Sequence, residues 1–175
     1  MSLIPRPQFH FAPARNWMND PNGLIYYKNK YHLFFQYNPE GDQWGNMSWG
    51  HATSSDLIHW QELPVAISYT PSHGIFSGSA VVDYFNTTGF GSIDNPAMVA
   101  IFTAHQHDGL RQVQSLACST DNGITWQQYE GNPVLDLKMK DFRDPKVAWN
   151  TVNEAWVMSV VKPQEFTVAF YQSQD

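Results

Sequence analysis

Apolar and polar positions alternate with a period of two through much of this chain and almost never with the 3.6-residue period of a helix. The alternation predicts β-strands over residues 31–37, 80–85, 98–104, 147–149 and 156–161. The chain therefore reads as nearly all β. These strands also recur as a unit. Each unit opens at a polar motif, marked by Asp20, Gly78 or Asp144, and runs through a strand, a turn and a second apolar strand. Each then reaches a third strand ending in Ser-x-Asp: Ser54-Ser55-Asp56, Ser119-Thr120-Asp121 and Ser173-Gln174-Asp175. After the first two endings come Trp60-Gln61-Glu62-Leu63 and Trp126-Gln127-Gln128-Tyr129, which read as a fourth strand. The predicted units are about 20–77, 78–143 and 144–175, the last incomplete because the sequence stops where its fourth strand is due. Openings about every 60 residues are longer than the roughly 40 to 50 of common propeller repeats, but suit four-stranded blades with long loops.

Charge and composition remove several classes of function. Ten Lys and Arg against sixteen Asp and Glu leave a net charge of -6, with no basic cluster among the aromatics, so nucleic acid is not an expected partner. No apolar stretch is long enough to span a membrane. The single Cys118 excludes an intrachain disulfide and reads as a small core residue. Seven scattered His, of which His105 and His107 are nearest neighbours, give no metal-ligand pattern, and no cofactor is expected. The start, Met1-Ser2-Leu3-Ile4-Pro5, lacks the pattern of a secretory leader, which leaves a cytoplasmic protein or a secreted one whose leader is gone. Aromatics at 15%, with seven Trp, fit either a β core or sugar recognition, since sugar C–H faces pack on aromatic planes.

Candidate chemistry concentrates in three segments. In Trp17-Met18-Asn19-Asp20-Pro21-Asn22-Gly23 a carboxylate stands where an apolar strand begins, although Asn-Asp-Pro-Asn-Gly is also ordinary turn chemistry. Asp141-Phe142-Arg143-Asp144-Pro145 repeats the arrangement, and Gly74-Ile75-Phe76-Ser77-Gly78-Ser79 lies between the two. The segment Ser119-Thr120-Asp121-Asn122-Gly123-Ile124-Thr125-Trp126 fits the Asp-box turn of sialidases and other propellers and reads as structural.

Together the three segments resemble the signature set of the glycosidases that include invertases, inulinases and levanases, glycoside hydrolase family 32, whose catalytic domain is a five-bladed propeller. Phe35-Gln36-Tyr37-Asn38-Pro39 and Trp44-Gly45-Asn46-Met47-Ser48-Trp49-Gly50-His51-Ala52 fall at fitting places between the first two. The resemblance implies an all-β propeller that would need roughly 300 residues for five blades, so these residues would supply fewer than three blades of a longer protein. It implies retaining hydrolysis of terminal β-D-fructofuranosides, with Asp20 as nucleophile and Asp144 stabilising the transition state. Asn19, Gln36 and Arg143 would then bond sugar hydroxyls, Trp44 would give an apolar wall, and Phe76 with Ser77 would line the pocket. The expected partners are a fructose-containing oligo- or polysaccharide and the remaining C-terminal part of the same protein.

The family's general acid, a Glu in an E-C dipeptide downstream of R-D-P, has no counterpart here. Cys118 follows Ala117 and precedes Arg143, Glu154 reads as a hairpin turn and Glu165 as a loop. The isolated chain is therefore expected to be inactive, and a non-catalytic sugar-binding propeller piece is the alternative. A sialidase would need a cluster of three arginines, and only Arg6, Arg15, Arg111 and Arg143 are present.

Overall fold

Three antiparallel sheets follow one another along the chain in the computed structural model, which describes residues 6–109 and 111–175. The leader-free reading of residues 1–5 lies outside those residues. The first sheet takes β1 (Met18–Tyr27), β2 (Lys30–Tyr37), β3 (Ser48–Ser54) and β4 (Trp60–Ile67) in that order. The second takes β5 (His73–Val82), β6 (Met98–Gln106), β7 (Gln112–Ser119) and β8 (Gln127–Gln128), and the third takes β9 (Arg143–Asn150), β10 (Ala155–Lys162) and β11 (Thr167–Ser173). Among the described residues the one helical turn is a 3-10 segment, Pro163–Glu165. The first strands of successive sheets lie side by side, β1 against β5 and β5 against β9.

Local chemistry explains where strands stop. Lys28 and Asn29 both take positive φ, 45° and 62°, and so close β1 and β2 with a two-residue turn whose twist matches the strands. The strand predicted over 80–85 instead runs His73–Val82. Asp83, fully buried, turns the chain by accepting hydrogen bonds from the backbone and hydroxyls of Thr87 and Thr88. The fourth strand expected from Trp126 to Tyr129 shrinks to the two residues of β8.

The Ser-x-Asp endings are turn devices. Asp121 Oδ1 accepts from Ser119 Oγ and from the amides of Ile124 and Thr125, Gly123 supplies φ 81°, and Trp126 Nε1 donates to Gly123 O. The first sheet repeats this in shortened form. Asp56 accepts from the amides of Ile58 and His59, Trp60 Nε1 donates to Leu57 O, and Leu57 occupies the left-handed position at φ 66°.

Period-two alternation splits the first sheet's side chains between two cores. Phe34 and Trp49 face the second sheet and meet Ile75, Ala80, Met98 and Phe102 there. Phe35, Tyr37 and Leu33 face the other way, covered by Phe11 and Trp60. Fully burying one such side chain is worth roughly 1.5–3 kcal/mol, so the sheet-to-sheet contact around Trp49 and Phe102 dominates the placement of β1 beside β5.

Candidate active site

The first strand of each sheet carries an extra residue near its start, and β1 carries a second at Gly23 and Leu24, which stand opposite Leu33. In β1, Met18 pairs with Tyr37 and Pro21 with Phe35, so Asn19 and Asp20 together stand opposite Gln36. In β5, Ile75 pairs with Ala104 and Gly78 with Phe102, so Phe76 and Ser77 stand opposite Thr103. In β9, Arg143 pairs with Val161 and Lys146 with Ser159, so Asp144 and Pro145 stand opposite Val160. A bulge bends its strand and re-aims the side chains it carries. Asn19, Asp20, Phe76, Ser77 and Asp144, singled out by sequence, are thus residues that the bulges displace, whereas Gln36, Trp44 and Arg143 lie outside them. Gly78 closes the β5 bulge, where a Cβ would run into the Ile101 carbonyl oxygen.

The bulges bring the side chains of three sheets to one end of the molecule. Ser77 Oγ donates to Asp20 Oδ2 at 2.6 Å. Trp17 Nε1 donates to Asn19 Oδ1 at 2.8 Å, which fixes the amide beside Asp20. Gln36 is buried, and its Nε2 donates to Ile75 O at 2.8 Å, tying the first sheet to the second. Phe76 stacks on His105 with ring centroids 4.5 Å apart and meets the edge of Trp44, whose side is 58% exposed. The backbone oxygen of Phe76 accepts from Trp49 Nε1. Asn38 anchors the loop that carries Trp44, donating to Gln43 O and accepting from the Glu40 amide.

Asp144 has the most constrained backbone of the set. Its φ is 61°, a left-handed conformation uncommon for a residue with a side chain. Its amide donates to Thr103 Oγ1 at 3.1 Å. Arg143 Nη1 bonds Asp141 Oδ1 at 2.6 Å and Gln112 Oε1 at 3.3 Å, and its Nε lies 4.0 Å from Asp144 Oδ2. Loss of hydration raises the Asp144 carboxyl above its ordinary value, the Arg143 charge opposes the rise, and the Asp20 charge adds to it. Asp20 thus stands close enough for its charge to act on the Asp144 carboxyl. Asp141 is held below its ordinary value, chiefly by its hydrogen bond from Arg143.

Chemically, the arrangement offers two carboxylates, an amide, a hydroxyl and a guanidinium beside an aromatic wall. Among the described residues no group of three His, Cys, Asp or Glu could hold a metal ion. Glu154 sits in the β9–β10 turn, at the end of β9 away from Asp144, and Glu165 pairs with Lys162 at 3.3 Å. Neither glutamate bonds an aspartate of the mouth. A cleft of about 710 Å³ opens between the second and third sheets, lined by Val99, Ile101, Leu116, Trp156 and Met158, but neither Asp20 nor Asp144 lines it.

Residues 10–175 match the family described as glycosyl hydrolases family 32 N-terminal domain. The chain belongs to glycosyl hydrolase family 32. It is 54% identical over 154 residues to a levanase of Bacillus subtilis, covering 87% of this chain and 22% of the levanase. It is 46% identical over 179 residues to an invertase of Schizosaccharomyces pombe, covering 97% of this chain and 30% of the invertase. The β-fructofuranosidase of Schwanniomyces occidentalis complexed with fructosyl-erythritol superimposes with a TM-score of 0.92 at 45% identity, over 97% of this chain and 34% of that one. The chain thus spans about a third or less of the length of these family 32 relatives. Its all-β sheets are the propeller fold of the family, of which the three sheets supply fewer than three complete blades.

Sequence reasoning missed the polar side chains beneath the mouth. Thr103, Gln112 and Gln114 are buried on β6 and β7, and they bond Asp144, Arg143 and Phe142. The signal was Gln112 and Gln114 flanking Val113, a spacing that by itself reads as a solvated strand face.

Proposed function

We propose that this chain carries the nucleophile half of a retaining β-fructofuranosidase active site acting on sucrose, inulin or levan. Asp20 attacks the anomeric carbon of a terminal fructosyl unit, and the glycosidic bond breaks as the leaving oxygen takes a proton from a general acid. Water then cleaves the fructosyl-enzyme ester, releasing fructose with retained configuration and restoring the Asp20 carboxylate. Asp144 bonds sugar hydroxyls and stabilises the positive charge that develops on the ring. Arg143 aims Asp144 and reaches a hydroxyl, Asn19 and Gln36 bond hydroxyls, and Trp44, Phe76 and Ser77 form the wall and lining. The three sheets serve as blade units over about 20–77, 78–143 and 144–175.

One observation carries this reading: Asp20, Ser77 and Asp144 each stand in the bulge that opens one of three adjacent first strands, with Ser77 Oγ bonded to Asp20 Oδ2. Relatives of this chain that are levanases, invertases and fructofuranosidases support the substrate class. The general acid is assigned to the remaining part of the protein. Without it the 175-residue chain binds sugar but does not turn it over, a reading favoured by the absence of a glutamate beside the aspartates among the described residues. The test is hydrolysis of sucrose, inulin and levan by the full-length protein and by the isolated chain. Release of fructose by the former alone supports the proposal, and turnover by the isolated chain overturns the assignment of the acid.

A further inference from the structure

The residues opposite the Asp20 bulge of β1 and the bulge of β5 each hook the next sheet. Gln36, opposite the β1 bulge, donates through Nε2 to Ile75 O at the edge of the β5 bulge. Thr103, opposite the β5 bulge, accepts at Oγ1 from the amide of Asp144 within the β9 bulge. The same hydroxyl donates to Gln114 Oε1 at 3.0 Å, and Gln114 Nε2 donates to Phe142 O at 2.7 Å. Gln112, two residues away on the same face of β7, accepts the Phe142 amide at 2.9 Å. Thr103 and Gln114 are fully buried, so no water competes for these bonds.

This polar set answers a need of β9. As a strand with a neighbour on one side only, β9 turns backbone groups toward the second sheet, and buried groups of that kind must be paired. Ser79 Oγ accepts the Val147 amide, Thr103 the Asp144 amide and Gln112 the Phe142 amide. The Asp144 link differs from the others because its backbone is left-handed, so nothing regular in the strand holds it there.

We infer that Thr103, backed by Gln114, is a positioning residue for Asp144: it holds the left-handed peptide that aims the carboxylate across the mouth toward Asp20. The inference rests on the proposed fructosidase function and deepens it. Thr103 touches no substrate and acts through the Asp144 backbone.

The full-length protein and its Thr103→Val and Thr103→Ser variants separate this role from plain packing. Valine keeps the shape and loses the hydroxyl, and serine keeps the hydroxyl and loses the methyl. A misplacement of about 1 Å can cost about 100-fold in rate, so a shift of roughly half that is expected to read as about tenfold. The expected result is a kcat on sucrose lowered at least about tenfold in Thr103→Val with KM within about threefold, and both near wild type in Thr103→Ser. Gln114→Met, which cuts the relay at its other end, replaces the valine variant if that variant does not fold, and the same kcat loss is expected. Hydrogen exchange at the Asp144 amide gives a readout free of activity: protection falls in Thr103→Val and persists in Thr103→Ser. Wild-type kcat in a folded Thr103→Val protein, or equal kcat losses in the serine and valine variants, overturns the inference. A wild-type protein that cleaves no fructoside defeats the proposed function alone, and exchange at Asp144 then decides whether Thr103 holds that peptide.

Discussion

Ser77 Oγ donates a 2.6 Å hydrogen bond to Asp20 Oδ2, joining the bulge of β5 to the bulge of β1. The bond does more than line a pocket. A hydrogen bond to a charged group is worth about 1.5–3 kcal/mol, and this one leaves the other carboxylate oxygen, Oδ1, for attack. Ser77→Ala in the full-length protein is expected to lower kcat by roughly 10- to 100-fold with a small change in melting temperature, since the site is partly open. Steady-state kinetics beside a thermal melt check it.

Arg143 sets the protonation of its neighbour. Its charge opposes the rise that burial and Asp20 impose on the Asp144 carboxyl, so removing it raises that carboxyl further. An Asp144 that must be ionised then loses its charge at higher pH. Arg143→Met is expected to move the acid limb of kcat/KM toward neutral pH and to lower the plateau, both measured from the pH profile on sucrose.

A buried histidine pair gives the fold its own pH dependence. His32 Nδ1 and His51 Nε2 lie 3.0 Å apart under the Asp-box turn, and His51 stacks on Phe34. Burial pushes His51 down to about 3, His32 adds to the shift, and a backbone hydrogen bond with Gly123 opposes it. Burial also lowers His32, helped by Lys30. The fold thus disfavours protonating either ring, whereas the unfolded chain protonates them below their ordinary 6.5. Stability is therefore expected to fall as pH drops from 6.5 toward 3, by on the order of 4 kcal/mol for His51 at the lower end, with no contribution above that window. Melting temperatures of wild type and His51→Phe between about pH 4 and 8 test this, the variant giving the shallower acid slope.

How far the sequence reaches is visible in single residues. β2 and β6 were legible because both faces of those strands are buried over most of their length, so apolar residues run consecutively at Leu33-Phe34-Phe35 and from Met98 to Phe102. Asp20, Ser77 and Asp144 were legible from motif resemblance. The bulges that aim them were not, because the extra residues fall within polar motifs at the strand starts, where no apolar alternation exists to show the shift of phase. Thr103 and Gln114 were illegible because their burial depends on β9, a strand that begins only at Arg143. Leu57 carried no signal either, since nothing about an exposed leucine announces a left-handed backbone.

That leucine yields a stabilising substitution. A left-handed backbone costs roughly 1–2 kcal/mol for a residue with a Cβ, and the Asp-box of the second sheet places Gly123 in the equivalent turn. Leu57→Gly loses little packing because the side chain is 52% exposed. A gain of about 1 kcal/mol is expected, or about 2–4 °C in melting temperature, read by thermal denaturation of the chain.

The central claim is that Asp20 attacks and Asp144 does not. The most direct measurement is mass spectrometry of the full-length protein after trapping with a fluorinated fructosyl substrate. In wild type the label is expected on the peptide carrying Asp20, absent in Asp20→Ala, and still formed slowly at Asp20 in Asp144→Asn, whose kcat is strongly reduced. A label on the peptide carrying Asp144, with none on that carrying Asp20, contradicts the account.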